Sequence, residues 1–296
     1  MILVVANWGT TFVIVKGALN DCTPATYNLI RMVFAFLALA VIYRKDLKKQ
    51  SWRHIGWGAL VGLCLALGYQ FQTTGLARTT PSKSAFITGM VVVLVPVFSA
   101  IPGLHPPGAR SPRWNAWLGA SIAFIGIVLL TAAPAGGSGF LPDFTSINLG
   151  DLLTFGCAIG FTLHCLALGH TSRSIGFRPL AVMQVGFSTL FIAASLPLIE
   201  HPHFNLTPRL IIALTISALI STAFAFSVQS WAQTILPPTH TALIMTLEPV
   251  FAWLTSYIFL SERFGTRQLS GALLILAGIC LTEFIQQPHI PTAHEA

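Results

Sequence analysis

Residues 239–265 read THTALIMTLEPVFAWLTSYIFLSERFG, an apolar run interrupted near its middle by Glu248 and Pro249. In hydrocarbon an ionisable side chain costs several kcal/mol, and a proline inside a helix removes a hydrogen bond. A segment built only to span a bilayer would carry neither. On a helical wheel, Thr241, Met245, Glu248, Ala252 and Thr255 fall within roughly 40° of one line, while Leu243, Leu247, Val250 and Leu254 lie opposite. One face is small and polar and the other is suited to lipid. The wheel therefore points Glu248 into a bundle near mid-membrane. Pro249 is expected to free a backbone carbonyl one turn earlier, which is tolerated where a cavity or a side chain satisfies it.

The rest of the chain agrees with that environment. Of 296 residues, 54% are hydrophobic and only 8% charged, and the mean hydropathy is +0.75. A soluble domain is about a quarter charged, so lipid must replace water as the outer solvent. Stretches near the roughly 20 apolar residues needed to cross a bilayer recur at 2–19, 25–43, 54–76, 82–101, 114–132, 149–169, 179–198, 209–232, 238–260 and 267–286. They lack the alternation of a barrel strand and must satisfy their backbone internally, so ten helices are expected. The first stretch has neither the charged leader nor the cleavage site of a secretory signal and is expected to be a retained helix. Connections are short, leaving no soluble domain.

Basic residues set the expected orientation. Arg44, Lys45, Lys48, Lys49, Arg53, Arg110, Arg113, Arg173 and Arg178 fall on the side of the N-terminus, while the loop 133–148 has none. Both termini are then cytoplasmic, in an inner or plasma membrane. The bias is clear in the first six helices and poor afterwards, because Arg263 and Arg267 fall outside. A net charge of +7 thus reads as topology and attraction to the inner leaflet, with no nucleic-acid partner. Cys22, Cys64, Cys157, Cys165 and Cys280 lack metal spacing and read as packing; no metal or cofactor is expected.

The two halves are alike. Leu94-Val95-Pro96-Val97-Phe98 matches Leu247-Glu248-Pro249-Val250-Phe251, and Pro81-Ser82-Lys83-Ser84-Ala85 matches Pro238-Thr239-His240-Thr241-Ala242. Four more residues, about one helical turn, precede the proline in the first copy. The stretch Gly119 through Gly126 matches Gly271 through Gly278. Five helices repeated give an inverted pair: a first repeat over 1–132, an outside linker over 133–148, a second repeat over 149–286 and a cytoplasmic tail over 287–296. The expected fold is an all-α membrane protein of ten helices around a central cavity.

Several stretches together carry a resemblance. They are Trp8-Gly9-Thr10-Thr11-Phe12 with Lys16, Pro24 through Arg31, Gly150-Asp151-Leu152-Leu153, and Leu247 through Ala252 running to Ser261-Glu262-Arg263. Over nearly its whole length the chain resembles the EamA-type exporters of the drug/metabolite transporter superfamily. Ser261 stands where members usually have Gly. The stretch Phe86-Ile87-Thr88-Gly89 through Pro96 looks like the YddG-type branch, which handles amino acids. The resemblance implies ten helices and export of amino acids, related metabolites or amphipathic drugs. Facilitated transport by alternating access, proton-coupled export and a gated pore all remain open at this point, as does a monomer or a weak dimer in the lipid bilayer.

Candidate substrate-binding residues follow from the polar faces: Trp8 and Thr11 on helix one, Tyr69 and Gln72 on helix three, and Ser84 and Thr88 on helix four. Helix six adds His164 beside Gly160, helix eight adds Gln229, and helix nine adds Thr241, Met245 and Glu248. A mainly apolar cavity with a few hydrogen-bonding groups suits a zwitterion with a variable side chain. Gly89, Pro96 and Pro249 are the expected gating positions. Glu248 has three competing roles: a brace for freed backbone groups, cavity polarity, or proton coupling. His164, Tyr69, Gln72 and Gln229 could equally be interhelical packing. Lys16 and Arg31, near the outer ends of helices one and two, are expected to snorkel to the interface, with a substrate-attracting vestibule as the alternative. Trp114 and Trp117 read as interface belt, and Asp151 as a helix cap. No nucleophile with a partner, His-Glu-x-x-His or aspartate-rich cluster occurs, so no enzymatic activity is expected.

Overall fold

The computed structural model describes residues 1–47, 50–105, 114–134, 142–143, 147–236, 241, 244–245 and 247–284. These residues are helical apart from loops and one two-residue antiparallel pair, β1 (Ala133–Pro134) with β2 (Pro142–Asp143). The helices are α1 (Ile2–Ala18), α2 (Pro24–Ile42), α3 (Trp52–Leu76), α4 (Pro81–Thr88), α5 (Val91–Ser99) and α6 (Trp114–Thr131). They continue with α7 (Leu149–Ile175), α8 (Phe177–Ile199), α9 (Pro208–Thr215), a π-helical stretch (Ile216–Phe224), α10 (Ala225–Ile235), α11 (Glu248–Leu260) and α12 (Thr266–Phe284).

Six described segments are long and apolar enough to cross a membrane: Pro24–Ile42, Trp52–Leu76, Pro81–Ser99, Leu149–Ser172, Phe177–Ile199 and Pro208–Ile235. Ile2–Ala18, Trp117–Thr131 and Thr266–Leu281 are shorter apolar helices. The expected ninth span falls partly on residues outside those described. Large apolar side chains such as Phe34, Leu37 and Val41 on α2, Leu63 and Leu67 on α3, and Leu254 and Ile258 on α11 are exposed on the outside of the bundle. Water would penalise that surface and hydrocarbon does not.

The chain starts its helices by a repeated local device. Thr23-Pro24, Thr80-Pro81 and Thr207-Pro208 each place an extended threonine before a proline in the first turn. Proline costs nothing there because that N–H has no helical partner, and the Thr80 and Thr207 hydroxyls accept from the backbone of Lys83 and Leu210. Helix α7 is capped by Asn148, whose side chain accepts from Gly150 N at 2.7 Å. Asp151, expected as that cap, instead accepts from the Thr79 hydroxyl and lies 3.8 Å from Lys83 Nζ.

Two departures from regular helix shape the interior. The expected fourth span breaks between α4 and α5 at Gly89 and Met90, where hydrogen bonds shorten to i→i+3. The expected eighth span widens over Ile216–Phe224, where Thr222 Oγ1 donates to the carbonyl of Ser217, five residues back, at 2.7 Å. Such π segments concentrate at functional sites.

Packing relies on close backbone approach. α6 lies along α12, α3 lies between α7 and α8, α1 packs on α11, and α2 packs on α8 and the π stretch. At the α6–α12 crossing a Cβ on Gly126 would stand 2.6 Å from Gly271 O, and one on Gly271 would stand 2.6 Å from Gly126 O. A Cβ on Gly278 would collide with Gly119 O. Without a hydrophobic drive between helices in lipid, this proximity is what dispersion and weak polar contacts need. Substituting Gly126→Leu must push the two backbones apart, which costs about 1–3 kcal/mol. The expected outcome is a lower melting temperature in detergent than wild type. Gly56→Leu, where a Cβ meets nothing within 4 Å, is expected to melt like wild type, and equal melting of the two variants would contradict the packing account.

Candidate functional site

Between α1, α2, α3, α4, α7, α10 and the start of α11 the bundle contains a partly open cavity. Its wall contains Trp8, Thr11, Tyr69, Gln72, Thr88, His164, Gln229, Met245 and Glu248, all candidates from the sequence. Ser84 and Thr241 are fully buried but do not line it. Ser84 sits one turn before Thr88 and turns its hydroxyl towards Thr154 Oγ1 of α7, 3.5 Å away.

Aromatic rings form much of the wall. Phe226 lies 5.7 Å from the Trp8 ring, 6.0 Å from Tyr69 and 5.6 Å from His164, and Tyr69 meets Phe161 edge-on at 5.3 Å. Neither phenylalanine is distinguishable in sequence from a lipid-facing one. Trp8 is fixed by its Nε1–H, which donates to Ser221 O at 2.8 Å in the π stretch. His164 Nε2 lies 2.8 Å from Gln184 Oε1, and Gln184 donates to Ser230 Oγ at 2.9 Å. With the Gln184 amide nitrogen committed to Ser230, this geometry puts the His164 proton on Nε2. Packing and cavity roles thus coincide in that residue. Trp231, on the same helix as Gln229, is exposed on the outside of the bundle.

Glu248 is 7% exposed, and its carboxylate makes no hydrogen bond or ion pair with a described residue. Its helical position answers part of the cost. α11 begins at Glu248, with Leu247 as N-cap. Pro249 therefore occupies the first turn, where it removes no hydrogen bond, in contrast to the interior proline expected from the sequence. The carboxylate sits at the positive end of the α11 dipole, which favours negative charge. Gly89 meets this same turn, since a Cβ there would lie 2.9 Å from Pro249 Cγ. Pro96 lies inside α5, buried, with its carbonyl accepting from Ser99 Oγ at 2.6 Å.

Two basic residues do not snorkel. Lys16 Nζ donates to the carbonyls of Leu76, Ala77 and Thr79 at 2.8, 3.1 and 2.9 Å, closing the C-terminal end of α3 where orphan carbonyls carry partial negative charge. Arg31 is 4% exposed and lines the cavity. Its Nε donates to Thr222 Oγ1 at 2.7 Å, its Nη2 donates to Tyr69 Oη at 2.8 Å, and its Cζ lies 4.2 Å from the Tyr69 ring centre. The available signal was position: Arg31 is seven residues past Pro24, about 10 Å into the membrane at 1.5 Å per residue. It also shares a polar face with Tyr27 and Asn28. Tyr27 bonds Ser217 at 2.7 Å, and Asn28 donates to Tyr69 O at 3.0 Å and accepts from Thr73 at 2.8 Å.

The end of the bundle remote from the N-terminus is held by carboxylates. Asp21 takes a two-pronged ion pair from Arg209 at 2.8 and 2.9 Å and a hydrogen bond from Thr207 at 2.8 Å. The Arg209 hydrogen bonds, then Thr207, hold the Asp21 carboxyl below the usual carboxylate range. Glu200 accepts from the Thr26 backbone and hydroxyl at 2.7 and 2.9 Å. Glu262 accepts from the Ser82 hydroxyl at 2.7 Å and from Ser256. Among the described residues no group of three or more His, Cys, Asp or Glu side chains could hold a metal ion.

A helical bundle with an apolar exterior and a mostly apolar cavity lined by an arginine and a glutamate is an architecture suited to membrane transport. The chain belongs to the EamA-like transporter family, whose model matches residues 1–132 and 148–284. It is 31% identical over 283 residues to an uncharacterized transporter of Archaeoglobus fulgidus, covering 94% of this chain and 83% of the relative. It is 21% identical to the uncharacterized transporter YdfC of Bacillus subtilis, covering 95% of this chain and 88% of that one. A solved crystal structure superposes with a TM-score of 0.68 at 17% identity, covering 96% of this chain and 95% of that chain, a likeness of fold. The protein is a multi-pass membrane protein of a transporter family.

Proposed function

We propose that the protein exports amino acids and related small metabolites from the cell through the central cavity. The mechanism is alternating access between two inverted five-helix repeats in the inner membrane, with both termini cytoplasmic. The observation that carries this reading is the cavity itself: apolar aromatic walls, a few amide and hydroxyl groups, and the ionisable side chains of Arg31 and Glu248. The packing supports the repeat. Exchanging the halves turns α1 on α11 into α7 on α4 and α5, turns α3 on α8 into the π stretch on α2, and returns α6 on α12 to itself. The glycine contact Gly126–Gly271 maps onto Gly278–Gly119 in the same operation. Single cysteines placed near the two termini are expected to be labelled from the same, cytoplasmic face; labelling from opposite faces would rule out ten spans.

Proton-coupled export is the second reading, favoured by the buried acid facing the cavity. Against it, no second carboxylate lines the cavity among the described residues, and a coupled proton needs a relay. In proteoliposomes preloaded with L-leucine, labelled L-leucine is expected to accumulate transiently by exchange. Glu248→Gln is expected to raise the KM about tenfold, the loss of about one charge-assisted hydrogen bond, with little dependence of exchange on pH. Accumulation driven by an imposed pH gradient, abolished in Glu248→Gln while exchange persists, would instead establish coupling.

The break at Gly89 and the new helix start at Glu248 touch each other, which makes them the natural hinge for rocking one repeat against the other. Pro249→Ala extends the helical options of that turn. It is expected to leave expression near normal and slow exchange several-fold; unchanged rates at equal protein would remove Pro249 from gating.

A further inference from the structure

Arg31 has no counter-ion among the described residues, although it is buried in a low-dielectric interior. An unpaired buried cation is costly, and the structure offsets only part of that cost. The Tyr69 ring supplies a cation–π contact, while Thr222 and Tyr69 accept from one N–H of Nε and one of Nη2. A guanidinium has five N–H donors in a planar fork, and the Nη1 pair finds no described protein acceptor. The orientation is deliberate in a physical sense. Because the π stretch lets Thr222 Oγ1 donate five residues back to Ser217 O, the hydroxyl keeps its lone pairs for Arg31. Gln229 adds a second unanswered group, a buried amide oxygen in the same wall with no partner among the described residues.

We propose that Arg31 is the carboxylate subsite of the cavity, and that Glu248, from the other half of the chain, with the Gln229 amide oxygen, receives the substrate ammonium group. The inference rests on the transport reading and narrows it to substrates carrying a carboxylate. A guanidinium fork matches a planar carboxylate with two parallel hydrogen bonds. A phosphate is disfavoured, since one cation cannot balance a charge near −2 in a cavity that also contains Glu248. A zwitterion answers Arg31 and the Glu248 carboxyl at once and introduces no net charge.

The test uses three molecules of one shape: L-leucine, isoamylamine, which lacks the carboxylate, and 4-methylpentanoate, which lacks the ammonium. Thermal stabilisation of the purified protein reads binding without requiring transport. Leucine is expected to bind most tightly, 4-methylpentanoate more weakly, and isoamylamine at least about 30-fold more weakly than leucine, the typical loss when one side of a buried charged hydrogen bond is removed. In Arg31→Gln the leucine and 4-methylpentanoate affinities are expected to fall at least about 30-fold while isoamylamine is unchanged. A merely structural Arg31 would lower all three together. Should Arg31→Gln not fold, Arg31→Lys keeps the charge but loses the fork, and is expected to weaken leucine about tenfold with isoamylamine unchanged. Isoamylamine binding as tightly as leucine to wild type, leucine binding unchanged in the Arg31 variants, or no binding of leucine or 4-methylpentanoate would overturn the subsite. Carboxylate-selective binding without leucine exchange in proteoliposomes would overturn the transport reading while the subsite stands.

Discussion

Hydrocarbon offers no hydrogen bonds, so each polar atom inside the bundle must be answered by the chain or by something the chain encloses. The helices satisfy most of this demand with their own backbones. Their serines and threonines turn back onto carbonyls four residues earlier, as at Thr131, Thr162, Thr171 and Ser227. Where helices end, Lys16 closes α3, Glu200 reaches the first turn of α2 and Glu262 the first turn of α4. Arg31, Glu248 and Gln229 leave hydrogen-bonding capacity open, as Gln70, His170, Ser188, Gln233, Trp253 and Arg267 do elsewhere in the bundle, but these three line one cavity. Three groups with open hydrogen-bonding capacity in the wall of one cavity are the physical argument for a binding site there.

The same constraint explains the irregular backbone. A break or a widened turn leaves backbone groups in need of partners, which the bundle has to supply. The Gly89 break lies against Pro249, and the π stretch lies against α1 and α2. The widened turn presents Ser221 O to Trp8 and the Thr222 hydroxyl to Arg31, so the exposed groups are used within the bundle. Beside these irregular elements the glycine contacts of α6 with α12, and of α3 with α7 and α8, form closely packed seams between the two halves.

Much of the architecture was legible because lipid writes simple rules into sequence. Described helix ends such as Ala18, Leu76 and Thr131 fall within a residue or two of the spans read from hydropathy, and the polar faces of α1, α3 and α7 carried Trp8, Tyr69 and His164 to the cavity. What escaped were features set by neighbours. Snorkelling was a sound default for Lys16 and Arg31, but the default holds only if no acceptor lies closer than the interface. The α3 carbonyls and Thr222 are such acceptors, and both belong to segments far away in sequence. Wheel arithmetic at 3.6 residues per turn does not describe the π stretch, and it treated the run through Glu248 and Pro249 as one continuous helix. Phe161 and Phe226 were invisible for a different reason: an aromatic ring suits a cavity wall and a lipid face equally well.

The helix start at Glu248 changes the meaning of the acid that interrupts residues 239–265. In the middle of a helix, a buried carboxylate would receive no help from the backbone and would tend to keep its proton. At the first turn of α11 the aligned peptide dipoles favour the charged form, while Pro249 pre-sets the backbone angle of that turn. Desolvation opposes the charge, and no described side chain compensates it. The balance is therefore set by what enters the cavity: a cation near Glu248 favours the carboxylate, and an apolar occupant favours the acid. A zwitterion supplies that cation while satisfying Arg31 at its other end. Occupancy by the right substrate and charge on Glu248 then stabilise one another, so selectivity and the cost of burying the acid are two sides of the same interaction.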